Sequence, residues 1–375
     1  MTIFALSSAP GQSGIAVFRI SGPETGDIIK MITNSELPSP RKAKLLKLNN
    51  INNSSLIDEG IVLWFPGPNS YTGEDMAEVH VHGSKAVVDA IHNEVSKIDG
   101  CRLAEPGEFT KRAFQNGKIN LIKAESIADL ISAETEIQRK QAMSIMSGKS
   151  SDKFNSLRER LIKILANIEA KIDFPDEDLP NNILKNIRSE IKSIKIEIDK
   201  ILNDQKVGEK IREGFKIAII GPTNAGKSSL LNYLSKREVA IVSEIAGTTR
   251  DVIEVSLNLN GFPVVISDTA GIRESKDEIE KKGIKLALEK AENSDLILII
   301  MEPKSVDFAR FLSDFGSGKS ILVINKIDLS SDYIADEIKK YDPVLISIKD
   351  EKNLEKILNI IKKNLKNRFF IHENI

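Results

Sequence analysis

The sequence predicts three regions of different fold class: an α+β region over residues 1–118, an all-α region over 119–210 and an α/β region with a mostly parallel sheet over 214–368. Three observations carry that division. Short apolar runs broken by Gly and Pro fill the first region. The second is nearly free of Gly and Pro and places apolar residues three or four apart. In the third, short apolar strands alternate with helical stretches.

In the first region IAVFRI (15–20), GIVLWF (60–65) and AEVHVHG (77–83) read as strands, and KAVVDAIHNEVSKI (85–98) has helical spacing. The turns SGP, PGPNSYTGED and AEPGEFTKR are the loops in which binding residues usually sit. In the second region Leu157, Leu161, Ile164, Ile168 and Ile172 form one stripe, and Ile187, Ile191, Ile194, Ile198 and Ile201 form another. DFPDEDLP (173–180) reads as the loop between two antiparallel helices of a structural bundle. In the third, FKIAII (215–220), PVVISD (263–268), DLILIIM (295–301) and SILVINK (320–326) read as strands. Asn260-Gly261 is a hairpin signal, so one antiparallel edge strand is expected.

The chemistry concentrates in the third region. GPTNAGKSS (221–229) follows a strand and opens a helix, the pattern of a phosphate-binding loop. Its backbone N–H groups, through Asn224, Ala225, Gly226 and Ser229, suit phosphate oxygens, Lys227 suits the β and γ oxygens, and Ser228 suits Mg²⁺. DTAG (Asp268, Thr269, Ala270, Gly271) ends a strand, which places Asp268 near the metal and the Gly271 N–H near a γ-phosphate. In NKID, Asp328 can accept two hydrogen bonds from guanine that adenine cannot donate, with Asn325 and Lys326 beside the base. Ser347-Ile348-Lys349 follows the last strand, where a backbone amide can meet the guanine oxygen. Four motifs in this order predict a GTP-specific domain.

Between the loop and DTAG lies IVSEIAGTTRD (241–251), in which Ser243, Glu244, Ile245, Ala246, Gly247 and Thr248 precede Thr249, a natural second Mg²⁺ ligand. After DTAG stands Ile272, where Ras-like proteins carry a water-orienting glutamine. An aliphatic side chain cannot position water, and Ras-like hydrolysis also needs an arginine finger worth roughly 10³–10⁵ in rate. Asn224 and the 241–251 loop together resemble GTPases that hold K⁺ against the phosphates. That resemblance implies K⁺ ligands at Asn224, Ser243, Ile245 and Thr248.

Several stretches resemble the MnmE (TrmE) family of tRNA-modifying GTPases: GIAVFRISGP (14–23), WFPGPNSYTGED (64–75), PGEFTKRAFQNGKINL (106–121), AESIADLI (124–131), DFPDED (173–178) and the GTPase motifs. The resemblance implies an N-terminal folate-binding domain, a helical domain and a Ras-like GTPase domain. It further implies a homodimer through the N-terminal domains and a complex with the flavoprotein MnmG, which brings the FAD. That pair adds a carboxymethylaminomethyl-type group to carbon 5 of the wobble uridine of certain tRNAs, with carbon from a 5-formyl or 5,10-methylene tetrahydrofolate. Carried over by motif, Arg19, Glu78 and Lys118 contact the folate, and Glu280 in DEIEKKGI orients the attacking water. Without the resemblance, the first three read as solvated or structural charges and Glu280 as an acid in a helix's first turn. The family ends in a Cys-x-Gly-Lys motif, whereas this chain stops at FFIHENI; it reads either as a piece of a longer protein or as a version without those last helices. Two alternatives stand beside this reading: an Era- or Der-type switch GTPase acting on ribosomal RNA, and a regulatory protein that binds GTP and folate without modifying tRNA.

Bulk properties narrow the setting. At 375 residues, with 41% hydrophobic and 29% charged residues, the chain suits two or three globular domains. No apolar run reaches the roughly 18 residues of a membrane span, and the N-terminus has no signal-peptide pattern, so a cytoplasmic protein is expected. Cys101 is the single cysteine, which excludes an internal disulfide framework and a multi-cysteine metal site. The net charge of −1 carries no signal for nucleic acid by itself. His80 and His82 read as alternate residues of a strand, not as metal ligands.

Overall fold

A computed structural model describes residues 1–173, 183–202, 207–237, 239–241, 253–268, 289–304, 318–329 and 336–369. The chain divides into two compact units, Met1–Glu125 and Ser126–Ile375.

The first unit contains β1 (Thr2–Leu6), β2 (Ser13–Ser21), α1 (Thr25–Thr33), β3 (Lys44–Asn49), β4 (Leu56–Phe65), β5 (Met76–Gly83), α2 (Lys85–Ser96), β6 (Cys101–Leu103) and α3 (Glu108–Gln115), before α4 (Leu121–Ile131) leads into the second unit. Its six-stranded sheet has the order β3-β4-β5-β2-β1-β6, antiparallel except for the β1–β6 pair. Period-two alternation sends Phe18, Ile20, Val62, Trp64, Ala77 and Val79 to one face, where Ile28, Ile29 and Ile32 of α1 and Ile91 and Val95 of α2 cover them. Each fully buried side chain of this size contributes about 1.5–3 kcal/mol, so this face is what makes the unit fold. The helix ends follow from local chemistry: Ser84 caps α2 by accepting the Val87 N–H, and Asn34 ends α1 in the left-handed region at φ 46°. On the opposite face a polar network anchors α3. Arg102 and Arg112 both bond Glu108, and Arg112 reaches Glu74 at 2.9 Å. Ser21, fully buried, bonds both Thr72 and Glu74.

The second unit begins with α5 (Glu136–Met146), α6 (Lys149–Asp173), α7 (Ile183–Leu202) and α8 (Val207–Glu213). Thr135 and Gln138 form a capping box at the start of α5. The helices α6 and α7 run antiparallel along a seam of Leu157, Ile164, Ile187 and Ile194. Arg160 crosses it to Glu190 at 2.6 Å, Ser193 at 3.0 Å and Glu197 at 2.7 Å, three residues that share one helix face. The expected stripes are longer than this seam. Leu161, Ile168, Ile191 and Ile198 remain 36–49% exposed, because two helices in contact shield only one line of side chains.

There follow β7 (Phe215–Ile220), α9 (Lys227–Arg237), β8 (Val239–Ile241), β9 (Ile253–Leu259), β10 (Phe262–Asp268), β11 (Leu296–Met301), β12 (Ser320–Ile324), α10 (Asp336–Lys339), β13 (Val344–Leu345) and α11 (Leu354–Phe369). The seven strands take the order β13-β12-β11-β7-β10-β9-β8, and the first five of that order are mutually parallel. Both faces are covered. Ile217, Ile219, Leu298 and Ile300 pack with α9 and α11, while Ala218, Ile220, Ile297 and Ile299 pack with Ala291 and Ile338. Asn260 (φ 54°) and Gly261 (φ 88°) make the expected hairpin turn between β9 and β10. The expected antiparallel edge is corrected: β9 is antiparallel but interior, and the three-residue β8 pairs outside it. So short a strand has no periodicity to read. Among the described residues no helix is long and apolar enough to cross a membrane.

Candidate functional site: a phosphate loop joined to a base-reading turn

Parallel strands deliver their following loops to one edge of the sheet, where ligands of open α/β folds bind. After β7 the chain turns through Gly221, Asn224 (φ 62°) and Gly226 (φ 103°) into α9. These positive-φ residues bend the backbone so that N–H groups converge, as an anion nest requires. Lys227, 7% exposed, folds back over the loop and donates from Nζ to the Gly221 and Pro222 carbonyls at 2.8 Å each. Ser228 and Ser229 lie exposed in the first turn of α9. Asp268 ends β10 in register with Ile219 of β7, on the same sheet edge.

The turn expected to read the base follows β12. Asn325 is 3% exposed, donates from Nδ2 to the Ala225 carbonyl at 2.9 Å and accepts the Ile348 N–H on Oδ1 at 3.2 Å. One buried amide thus ties the phosphate loop to both base-side segments. The fit is tight enough that a Cβ on Gly226 would lie 2.3 Å from Asn325 Nδ2. Ser347, fully buried, donates from Oγ to Asp328 Oδ1 at 2.7 Å. That hydroxyl, with the Lys349 and Lys352 ammoniums nearby, holds the Asp328 carboxyl below its ordinary value. Lys326 pairs with Glu302, and Lys349 is exposed beside the turn. The Ile348 N–H falls in the segment where a backbone amide is expected beside the base, and here it donates to Asn325.

The first unit brings Arg19 and Glu78 together. They are cross-strand partners on β2 and β5, and Arg19 donates from Nε and Nη2 to Glu78 Oε1 at 3.0 and 2.7 Å. The guanidinium also lies 5.4 Å from the Tyr71 ring and 5.6 Å from the Phe109 ring. Lys118 is exposed, and its stem runs beside Gly73 in the loop that carries Tyr71. His82 pairs with Asp58 at 2.8 Å, and His80 Nε2 lies 3.7 Å from Glu78 Oε2. Among the described residues no group of three or more His, Cys, Asp or Glu could hold a metal ion. Ser243, Glu244, Ile245, Ala246, Gly247, Thr248, Thr249, Thr269, Ala270, Gly271, Ile272 and Glu280 lie outside the described residues.

A nest between a parallel strand and a helix, tied through Asn325 to a turn that carries an ionised carboxylate, is the arrangement of a P-loop GTPase. A family model described as "GTP-binding protein TrmE N-terminus" matches residues 2–118, and one described as "MnmE helical domain" matches residues 121–374. The tRNA modification GTPase MnmE of Pelagibacter ubique is 67% identical over 375 residues, 100% of this chain and 85% of that protein. Its counterpart in Rickettsia bellii is 45% identical over 370 residues, 98% of this chain and 83% of that protein. Among solved structures, an Aquifex aeolicus Era variant bound to GDP·AlF4− is 31% identical with a TM-score of 0.32, covering 40% of this chain and 56% of that one. This chain belongs to the MnmE family of tRNA modification GTPases.

Proposed function

We propose that the chain hydrolyses GTP with Mg²⁺ and K⁺ and couples that cycle, together with MnmG, to modification of carbon 5 of the tRNA wobble uridine. The reading assigns residues 1–118 to folate binding and homodimerisation, 119–210 to the helical domain and 214–368 to the GTPase domain. The observation that carries it is Asn325, whose buried amide joins the phosphate loop to the guanine-reading turn. Lys227 neutralises phosphate oxygens, Asp328 reads the base edge, and Ser347 keeps Asp328 aimed. Hard oxygen donors suit both cations: Ser228 and Thr249 would hold Mg²⁺, with Asp268 near it, and Asn224, Ser243, Ile245 and Thr248 would hold K⁺. When bound, these ions supply positive charge against the phosphates. Exposed Asn224, turned at φ 62° into the loop, supports the K⁺ assignment. In the first unit an arginine between two rings, a glutamate and a lysine suit a flat heterocycle with a carboxylate tail. The reaction needs a water-orienting group that Ile272 cannot be, and Glu280 fills that role.

Turnover of GTP in KCl against NaCl tests the cation. A charge at the arginine-finger position is worth roughly 10³–10⁵ in rate, so a difference of at least about tenfold is expected. Equal rates, or full activity in Glu280→Ala, overturn the catalytic part. Mass analysis of wobble uridine in a complemented deletion strain tests the modification, and an unmodified base overturns that part alone.

A further inference from the structure

We propose that Glu302 is a positioning residue for nucleotide binding, holding Lys326 away from Asp328 and fixing its stem beside the base. The inference rests on the reading of Asn325, Lys326 and Asp328 as the guanine site. Strands β11 and β12 are parallel neighbours with Met301 opposite Ile324, and the Asn325 N–H donates to the Met301 carbonyl at 2.8 Å. Glu302 and Lys326 therefore leave adjacent strands side by side, and their side chains form an ion pair. Neither backbone is free to drift. Glu302 precedes the buried Pro303, which restricts it to extended conformations, and Lys326 sits in the left-handed region at φ 63°.

The pairing has two consequences. Asp328, two residues beyond Lys326, is the only base-reading carboxylate of the turn, and guanine needs its oxygens. An ammonium on a flexible four-carbon stem would compete for them. Glu302 occupies that ammonium, while Ser347 holds the other side of Asp328. The second consequence concerns the stem. With Nζ tethered, its methylenes form a fixed apolar wall on which a ring can lie, and less side-chain freedom is lost when nucleotide binds.

Both side chains of the pair are about one-third exposed, so the effect has the size of a surface ion pair, not a buried one. Equilibrium binding of fluorescent GDP and GTP to the full chain should weaken about threefold to fivefold in Glu302→Gln. The loss should be equal for both nucleotides, should appear in KM with kcat changed less than about twofold, and should be partly restored in Glu302→Asp. In a Lys326→Met background, which keeps the stem and removes the charge, Glu302→Gln should have no further effect. Unchanged affinity in Glu302→Gln, or the same loss in the Lys326→Met background, overturns the proposal. So does a fall in thermal midpoint with affinity intact, which would make the pair merely structural. Failure of the wild-type chain to bind guanine nucleotide would instead remove the site on which the inference rests.

Discussion

Asp328 shows how a single residue acquires its geometry from its neighbours. In the sequence it is one acid among 54 Asp and Glu. In the fold, the buried Ser347 hydroxyl fixes one oxygen at 2.7 Å and lowers the carboxyl below its ordinary value. Asp328→Asn replaces one acceptor by a donor, so GTP affinity should fall roughly 100-fold. Affinity should shift toward xanthosine triphosphate, whose ring carries a carbonyl where guanine carries its amino group. Ser347→Ala should cost about fivefold in GTP affinity, without that shift in base preference. Both outcomes are read by competition binding with the two nucleotides. Serine at position 347 was readable as part of a base-side segment, but its bond to Asp328 was not. The partners lie 19 residues apart, and only the closure of β12 against β13 joins them.

At the scale of elements, hairpin and phosphate loop were legible because their chemistry is local. Asn260-Gly261 and GPTNAGKSS each need positive φ, and the residues that tolerate it announce themselves. The helices α6 and α7 were legible from periodicity, but periodicity does not tell how many neighbours a helix has. Only Leu157, Ile164, Ile187 and Ile194 are buried of the ten stripe residues expected. Ile164→Ala should cost about 2 kcal/mol, the low end for such a truncation, since flanking Leu161 and Ile168 already face solvent. Faster hydrogen exchange confined to α6 and α7 would show it. The contact of α5 with α8 was not legible at all. Ile137, Val207 and Ile211 pack against the core of the parallel sheet, and Gln138 and Gln141 donate to the Arg212 and Gly208 carbonyls. Seven-residue α8 is too short to show a period.

For the whole molecule, composition set the class and little else. A net charge of −1 offers no long-range field for phosphates, so on the proposed reading GTP would be held by local groups such as Lys227. Stability against acid is likewise set by a few paired carboxylates. Arg102, then the Glu105 N–H and Arg112, hold the Glu108 carboxyl down to about 2 from an ordinary 4.5. Since the folded value is depressed, the stabilisation is fully present above about pH 4.5 and is lost as pH falls toward 2. Thermal midpoints of the full chain should therefore drop across that window, and Glu108→Gln should lower the neutral value and flatten the acid slope. An unchanged slope in the variant would assign the acid response to other carboxylates, such as Glu94 beside Lys97. By itself the sequence determined what short-range chemistry encodes: strand and helix periods, turns with positive φ, and residue types suited to phosphate, guanine and hard cations. Tertiary structure alone decided which strand lies at the sheet edge, which helix faces stay exposed, and which distant groups meet. Asn325 with Ala225, Ser347 with Asp328 and Glu302 with Lys326 are neighbours because parallel strands bring the ends of separate segments to one edge, and no local pattern records that.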